Sequence, residues 1–217
     1  MMNRVVLLLV CAMLVGAQTT DAMSWKLVDK PLALSKDKKF SVELPVGWVR
    51  AIDDKNVISA TRDGMGIQLI STVRTKHRDA FKQFETKKQK KANAKRLPNQ
   101  KKAMVNAQML PAELAELVIA DLKSGSEMSH VRVVSNLPLI IDGHQGFQLH
   151  FQYKNKKGLQ FDHMISGFVD EKNLYQFAYR APSKIYFPRD LKAFDKMVAS
   201  FKLEGGKFNK KDLALSK

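Results

Sequence analysis

Between Phe147 and Lys154 the chain alternates without a break. Phe147, Leu149, Phe151 and Tyr153 are apolar, and Gln148, His150, Gln152 and Lys154 are polar. Successive side chains of a strand point to opposite faces, so this is the pattern of a strand with one buried face. Asn155-Lys156-Lys157-Gly158 is a turn, after which Leu159, Phe161, His163, Ile165 and Val169 share one face of a second strand. So short a turn joins only antiparallel neighbours, because a parallel pair needs a crossover of about a dozen residues or more. Asn173 marks another turn, and Leu174 to Arg180 forms a further strand. An antiparallel meander is therefore the frame into which the rest must fit.

Upstream, Phe40-Ser-Val-Glu-Leu44 alternates as a half-buried strand does, Pro45-Val46-Gly47 turns, and Trp48-Val49 resumes an extended course. Val57 to Arg62 and Ile67 to Val73 read as two strands joined at the hairpin signal Asp63-Gly64. A short strand is expected over Val131 to Val134. Two segments have helical spacing instead. Pro111 suits a first helical turn, Glu113 and Glu116 face the positive end of the helix dipole, and Leu114, Leu117, Val118 and Leu122 share one face before Ser124-Gly125 ends the run. A second helix is expected from about Pro188, with Leu191, Phe194, Val198 and Phe201 on its apolar side. The fold class is α+β: an antiparallel sheet covered by amphipathic helices. Trp48, Leu117, Phe151, Phe161 and Phe201 are the expected core.

The first residues, Met1-Met2-Asn3-Arg4, precede an apolar run from Val5 to Val15 and then the small residues Gly16-Ala17 and Ala22. These are the parts of a secretory signal peptide, and the run is shorter than the ~20 residues a membrane span needs. Residues 1–22 are expected to be removed, with cleavage after Ala17 or Ala22, leaving one domain over 23–217 in the periplasm or outside the cell. Cys11, the one cysteine, would leave with the signal. The mature chain could then form no disulfide and no cysteine-ligated metal site.

The net charge is +16 and stays +16 without residues 1–22, since Arg4 and Asp21 cancel. Residues 74–102 hold twelve Lys or Arg against Asp79 and Glu85, so ten of those sixteen charges lie there. Phe81, Phe84 and Leu97 are its only large apolar side chains. The stretch at about 74–108 is expected to be a mobile basic excursion, and Lys87, Lys88, Lys90, Lys91, Lys95 and Arg96 its anion-binding residues. An envelope protein or an anionic membrane surface is the partner this charge favours, and export disfavours nucleic acid.

Taken together, Phe40-Ser-Val-Glu-Leu-Pro-Val-Gly-Trp48, Ile141-Asp-Gly143 before the alternating strand, and Phe194-Asp-Lys-Met-Val-Ala-Ser-Phe201 resemble the opening, middle and closing motifs of the PsbP/DcrB-like superfamily. The resemblance covers most of residues 38–204. It implies an α/β/α sandwich and a non-enzymatic role as an accessory or binding protein of envelopes or photosynthetic lumens, with no shared catalytic residues and no cofactor. The basic excursion departs from that pattern.

Motifs for catalysis are sparse. The five histidines form no His-x-x-x-His pair, and there is no Gly-x-Ser-x-Gly. Pairing Phe151 with Phe161 and Tyr153 with Leu159 places His150 opposite Asp162 and His163 opposite Leu149. A His–Asp pair can serve as a general base, and a hydrolase built on His150 and Asp162 is the remote alternative; a cross-strand polar contact is the plainer role. His163 reads as a hydrogen-bonded core or edge residue. Tyr186-Phe187, expected in the loop before the last helix, could line a pocket, as in a carrier holding a small apolar or amphipathic ligand between sheet and helix.

Overall fold

The meander forms, and it is longer than its alternation implied. In the computed structural model, which describes residues 24–52, 55–80, 105–124 and 128–204, all strand pairs are antiparallel. The elements are β1 (Trp25–Leu27), β2 (Leu32–Leu34), β3 (Phe40–Glu43), β4 (Val49–Ala51), β5 (Val57–Thr61), β6 (Leu69–Lys76), helix α1 (Pro111–Ser124), β7 (Ser129–Ile141), β8 (His144–Lys154), β9 (Gln160–Val169), β10 (Asn173–Pro182), helix α2 (Tyr186–Ala199) and β11 (Lys202–Leu203). Eight strands form one sheet in the order β1-β4-β5-β6-β10-β9-β8-β7, and β11-β3-β2 form a small second sheet. The expected signal segment lies outside the described residues.

Three sequence expectations are corrected. The strand expected over Val131 to Val134 runs from Ser129 to Ile141, with irregular register near both Ser129 and Val133. It holds Pro138, which only an edge strand tolerates, and β7 is an edge. Asp142 and Gly143, both at positive φ (46° and 79°), make the two-residue turn into β8. The register of β8 on β9 is two residues from that expected: Tyr153 faces Phe161, Gln152 faces Asp162, and Phe151 faces His163. A slip of two keeps every side chain on its face, so alternation alone could not distinguish the two pairings. Third, α2 starts at Tyr186, so Tyr186 and Phe187 lie in its first turn rather than in a loop.

The large sheet is apolar on both faces. On one side Met164, Phe168, Tyr175, Phe177 and Tyr179 join Phe194, Met197 and Val198 of α2 and Phe40 and Val42 of the small sheet. On the other, Phe147, Leu149, Phe151, Phe161 and Ile165 join Leu114, Ala115 and Val118 of α1. This is a sheet between helices, the α/β/α sandwich. Phe168 stacks on His144 and Tyr175 at 4.7 and 4.9 Å between ring centres, and Phe201 meets Phe168, Tyr175 and Phe177 edge-on within 5.6 Å. Of the expected core, Trp48, Phe151, Phe161 and Phe201 are buried, and Leu117 is half-buried.

Phe151→Ala should cost about 3–5 kcal/mol, as for other fully buried aromatics. Leu117→Ala should cost clearly less, because solvent already reaches that side chain. Denaturant unfolding of the two variants checks the order; equal losses would mean that α1 lies on the sheet through a different face.

Candidate functional site

The start of α2 is held down by a stack of rings. Phe187 lies between Tyr179 (5.0 Å, 12° between planes) and His150 (5.2 Å, 8°). The Tyr179 hydroxyl donates to the carbonyl oxygens of Tyr186 (2.7 Å) and Phe187 (3.1 Å), so the helix's first turn is bonded directly to β10. Burial, reinforced by the Asp190 carboxylate, keeps that hydroxyl from ionising far above the ordinary tyrosine range. The Arg189 guanidinium lies 5.0 Å over the Tyr186 ring and also binds Asp190 (2.5 Å) and Asp63. Asp190, buried, takes further bonds from Gln68 (2.8 Å) and Arg62 (3.3 Å). The β5–β6 hairpin is thereby clasped to α2. Phe187 is spent on packing and Tyr186 on this clasp.

A polar row crosses β7, β8 and β9 beside that turn. Arg132 donates to the Gln152 side-chain oxygen (2.6 Å), and Gln152 donates to Asp162 Oδ1 (2.9 Å). The same oxygen meets His150 Nε2 at 2.6 Å. His150 and Asp162 do touch, though as diagonal neighbours: His150 stands opposite Met164, and Asp162 opposite Gln152. One ring nitrogen of His150 is thus fixed by a buried carboxylate, and one ring face is covered by Phe187. Ser135 stands opposite His150 on β7, yet no hydrogen bond joins them among the described residues. The arrangement orients the histidine and ties it into a cross-strand polar row.

His163 lies on the opposite face of β9. It is 0% exposed, sits 4.8 Å from the Phe151 ring and opposite Arg180, and neither ring nitrogen has a hydrogen-bond partner among the described residues. It belongs to the core as expected, but without the hydrogen bonds expected of it. Burial, helped by Arg180 and His150 nearby, pushes its pKa down to about 3.

The basic stretch begins inside regular structure. Arg74 belongs to β6, where it donates to Asp37 and to Asn56 (2.6 Å), and His77–Asp79 form a 3-10 turn. Ala80 and Val105, which flank residues 81–104, both pack in the cluster under α1. Both ends of the basic segment are therefore anchored to one side of the sheet. Lys87, Lys88, Lys90, Lys91, Lys95 and Arg96 lie outside the described residues.

Two clefts open beside the outer strands of the large sheet. One, of about 190 Å³, is lined by Leu34, Lys36, Arg50, Ile52 and Ile58 among others; a second, of about 300 Å³, by Trp25, Val49, Arg62 and Met65 among others. No sequence signal singles out either lining, because the residues come from several strands and turns that the chain brings together only on folding. Among the described residues no three His, Cys, Asp or Glu side chains group as a metal site, and no helix is long and apolar enough to cross a membrane.

No protein-family profile matches this chain, and no curated protein matches it in sequence. Solved structures similar to it include cyanobacterial PsbP from Synechocystis sp. PCC 6803, with 11% identity, TM-score 0.49, and 88% of this chain and 98% of that one covered. The Ran-binding protein Mog1p of Saccharomyces cerevisiae matches with 9% identity, TM-score 0.49, and 84% and 96% covered. LpqN of Mycobacterium tuberculosis, described as involved in cell envelope biogenesis, matches with 10% identity, TM-score 0.38, and 85% and 87% covered. At such identities the likeness concerns the fold alone.

His163 sets a pH dependence. The unfolded chain takes up a proton at this ring near pH 6.5, whereas the folded one does so only near pH 3. Stability is therefore full above about pH 6.5 and falls as pH drops toward 3, by up to about 1.4 kcal/mol per pH unit from this group. His163→Leu should flatten the melting temperature between pH 6.5 and 4 relative to the unaltered protein. Parallel profiles would mean that the ring has a proton-accepting partner.

Proposed function

We propose that this is an exported accessory or binding protein of the bacterial cell envelope, non-enzymatic, working by contact with an anionic partner. One observation carries the reading: ten net positive charges lie within residues 74–102, and the residues flanking 81–104 are packed against the folded domain. Like charges at this density repel one another, and an anionic surface relieves that repulsion. Each cation close to an anionic membrane contributes about 1 kcal/mol, so several suffice for reversible adhesion without a lipid anchor. Two further points support the reading. Arg74, at the start of the stretch, already has Asp37 and Asn56 as partners, so the charge available for contact begins beyond it. The His150–Asp162 pair is bound into a cross-strand polar row with Gln152 and Arg132.

The protein should sediment with vesicles containing anionic lipid and not with neutral ones. Binding should weaken as salt shortens the screening length, and should fall sharply when Lys87, Lys88, Lys90, Lys91, Lys95 and Arg96 become Gln. Binding to neutral vesicles alike, or no loss in that variant, would reduce the segment to a solubilising one.

Export has its own check. N-terminal sequencing of the protein from an envelope fraction should give Gln18 or Met23. A lipid-modified Cys11 at the new terminus would instead make this a membrane-anchored protein.

A further inference from the structure

The small sheet and the outer strands of the large one meet at the cleft of about 190 Å³. Its lining is of two kinds. Val57 and Ile58 are buried, and Leu34 and Ile52 stand beside them as apolar walls. Lys36, from the turn after β2, and Arg50, on β4, add two cations. Neither has an acidic partner among the described residues, and Asp37, next to Lys36, is occupied by Arg74 and by the Ser35 hydroxyl (2.9 Å). The second cleft differs on this point, since its cation, Arg62, is paired with Asp190.

Two cations with no acidic partner among the described residues, beside an apolar floor, fit a ligand with an anionic head and an apolar tail. The volume restricts its size: drug-sized sites run to roughly 300–1,000 Å³, so this one takes a head group and a chain of a few carbons. We propose that the cleft binds a small amphiphilic anion, its carboxylate or similar head between Lys36 and Arg50 and its tail against Leu34, Ile52 and Ile58. The site lies between the two sheets, not between sheet and helix, and it goes beyond the contact function above without depending on it. Two partly exposed ion pairs should separate a charged ligand from its neutral analogue by roughly tenfold in affinity.

Hexanoate is the probe, titrated into ¹⁵N-labelled protein with hexan-1-ol as the neutral analogue and dihexanoyl-phosphatidylglycerol as the lipid form of an anionic head. The expected result is saturable amide shifts centred on residues 34–36, 50–52 and 57–58, with hexan-1-ol about tenfold weaker. Lys36→Gln and Arg50→Gln should each weaken hexanoate while leaving the rest of the spectrum in place. Lys36 is exposed, so its variant tests the site even where the Arg50 variant folds poorly. Equal binding of acid and alcohol, non-saturating shifts over the whole basic surface, or unchanged affinity in Lys36→Gln would overturn the proposal. A stronger response of the same amides to the phosphatidylglycerol would also overturn it, by assigning the cleft to a membrane lipid.

Discussion

Strand β9 has eight consecutive buried residues, Phe161 to Phe168, and β10 beside it is nearly as covered. A strand buried on both faces needs a layer on each side, and most of the architecture follows from that need. On one face α2 and the small sheet supply the cover, and on the other α1 does. The rings divide in the same way. Phe168, Tyr175, Phe177 and Phe201 interlock on the α2 side, while Phe151, Tyr153, Phe161 and the uncharged His163 meet on the α1 side.

Several polar groups hold these layers in place. Tyr179 bonds the start of α2, Asp190 joins that helix to the β5–β6 hairpin, and Asp142 takes Lys202 (2.8 Å) and the Leu203 amide (2.9 Å), tying β11 to the β7–β8 turn. Within the large sheet, Asp162 joins β9 to His150 and Gln152 of β8. At the cleft, Lys36 and Arg50 have no acidic partner among the described residues.

What the residues disclosed in advance was local. The β8–β9–β10 meander was legible because period-two alternation and short turns each have one reading, and the helices because their apolar positions recur at helical spacing. Strand β7 was half missed, since Pro138 interrupts a pattern that an edge strand can nevertheless carry. The β8–β9 register was off by two, because faces are encoded by alternation and pairing is not. Spacing alone puts the helix start near Pro188, whereas the chain enters it two residues earlier, with Tyr179 binding the carbonyls of Tyr186 and Phe187. His150 and Asp162 meet in either register, because a shift of two residues turns direct cross-strand neighbours into diagonal ones. The split into two sheets and the cleft between them could not be read, since β3 pairs with β11 across about 160 residues and Lys36 meets Arg50 only once both sheets are built.

Adhesion to an anionic envelope surface, through charge and without an anchor, is the central claim, and cell fractionation tests it most directly. Cells making the protein are opened gently at low salt, and the envelope fraction is washed with buffer of rising salt, then with detergent. The protein should stay with the envelope at low salt and be released by salt alone, and the variant with the six basic residues changed to Gln should already be free at low salt. Release only by detergent, or a protein that never joins the envelope at low salt, would contradict it.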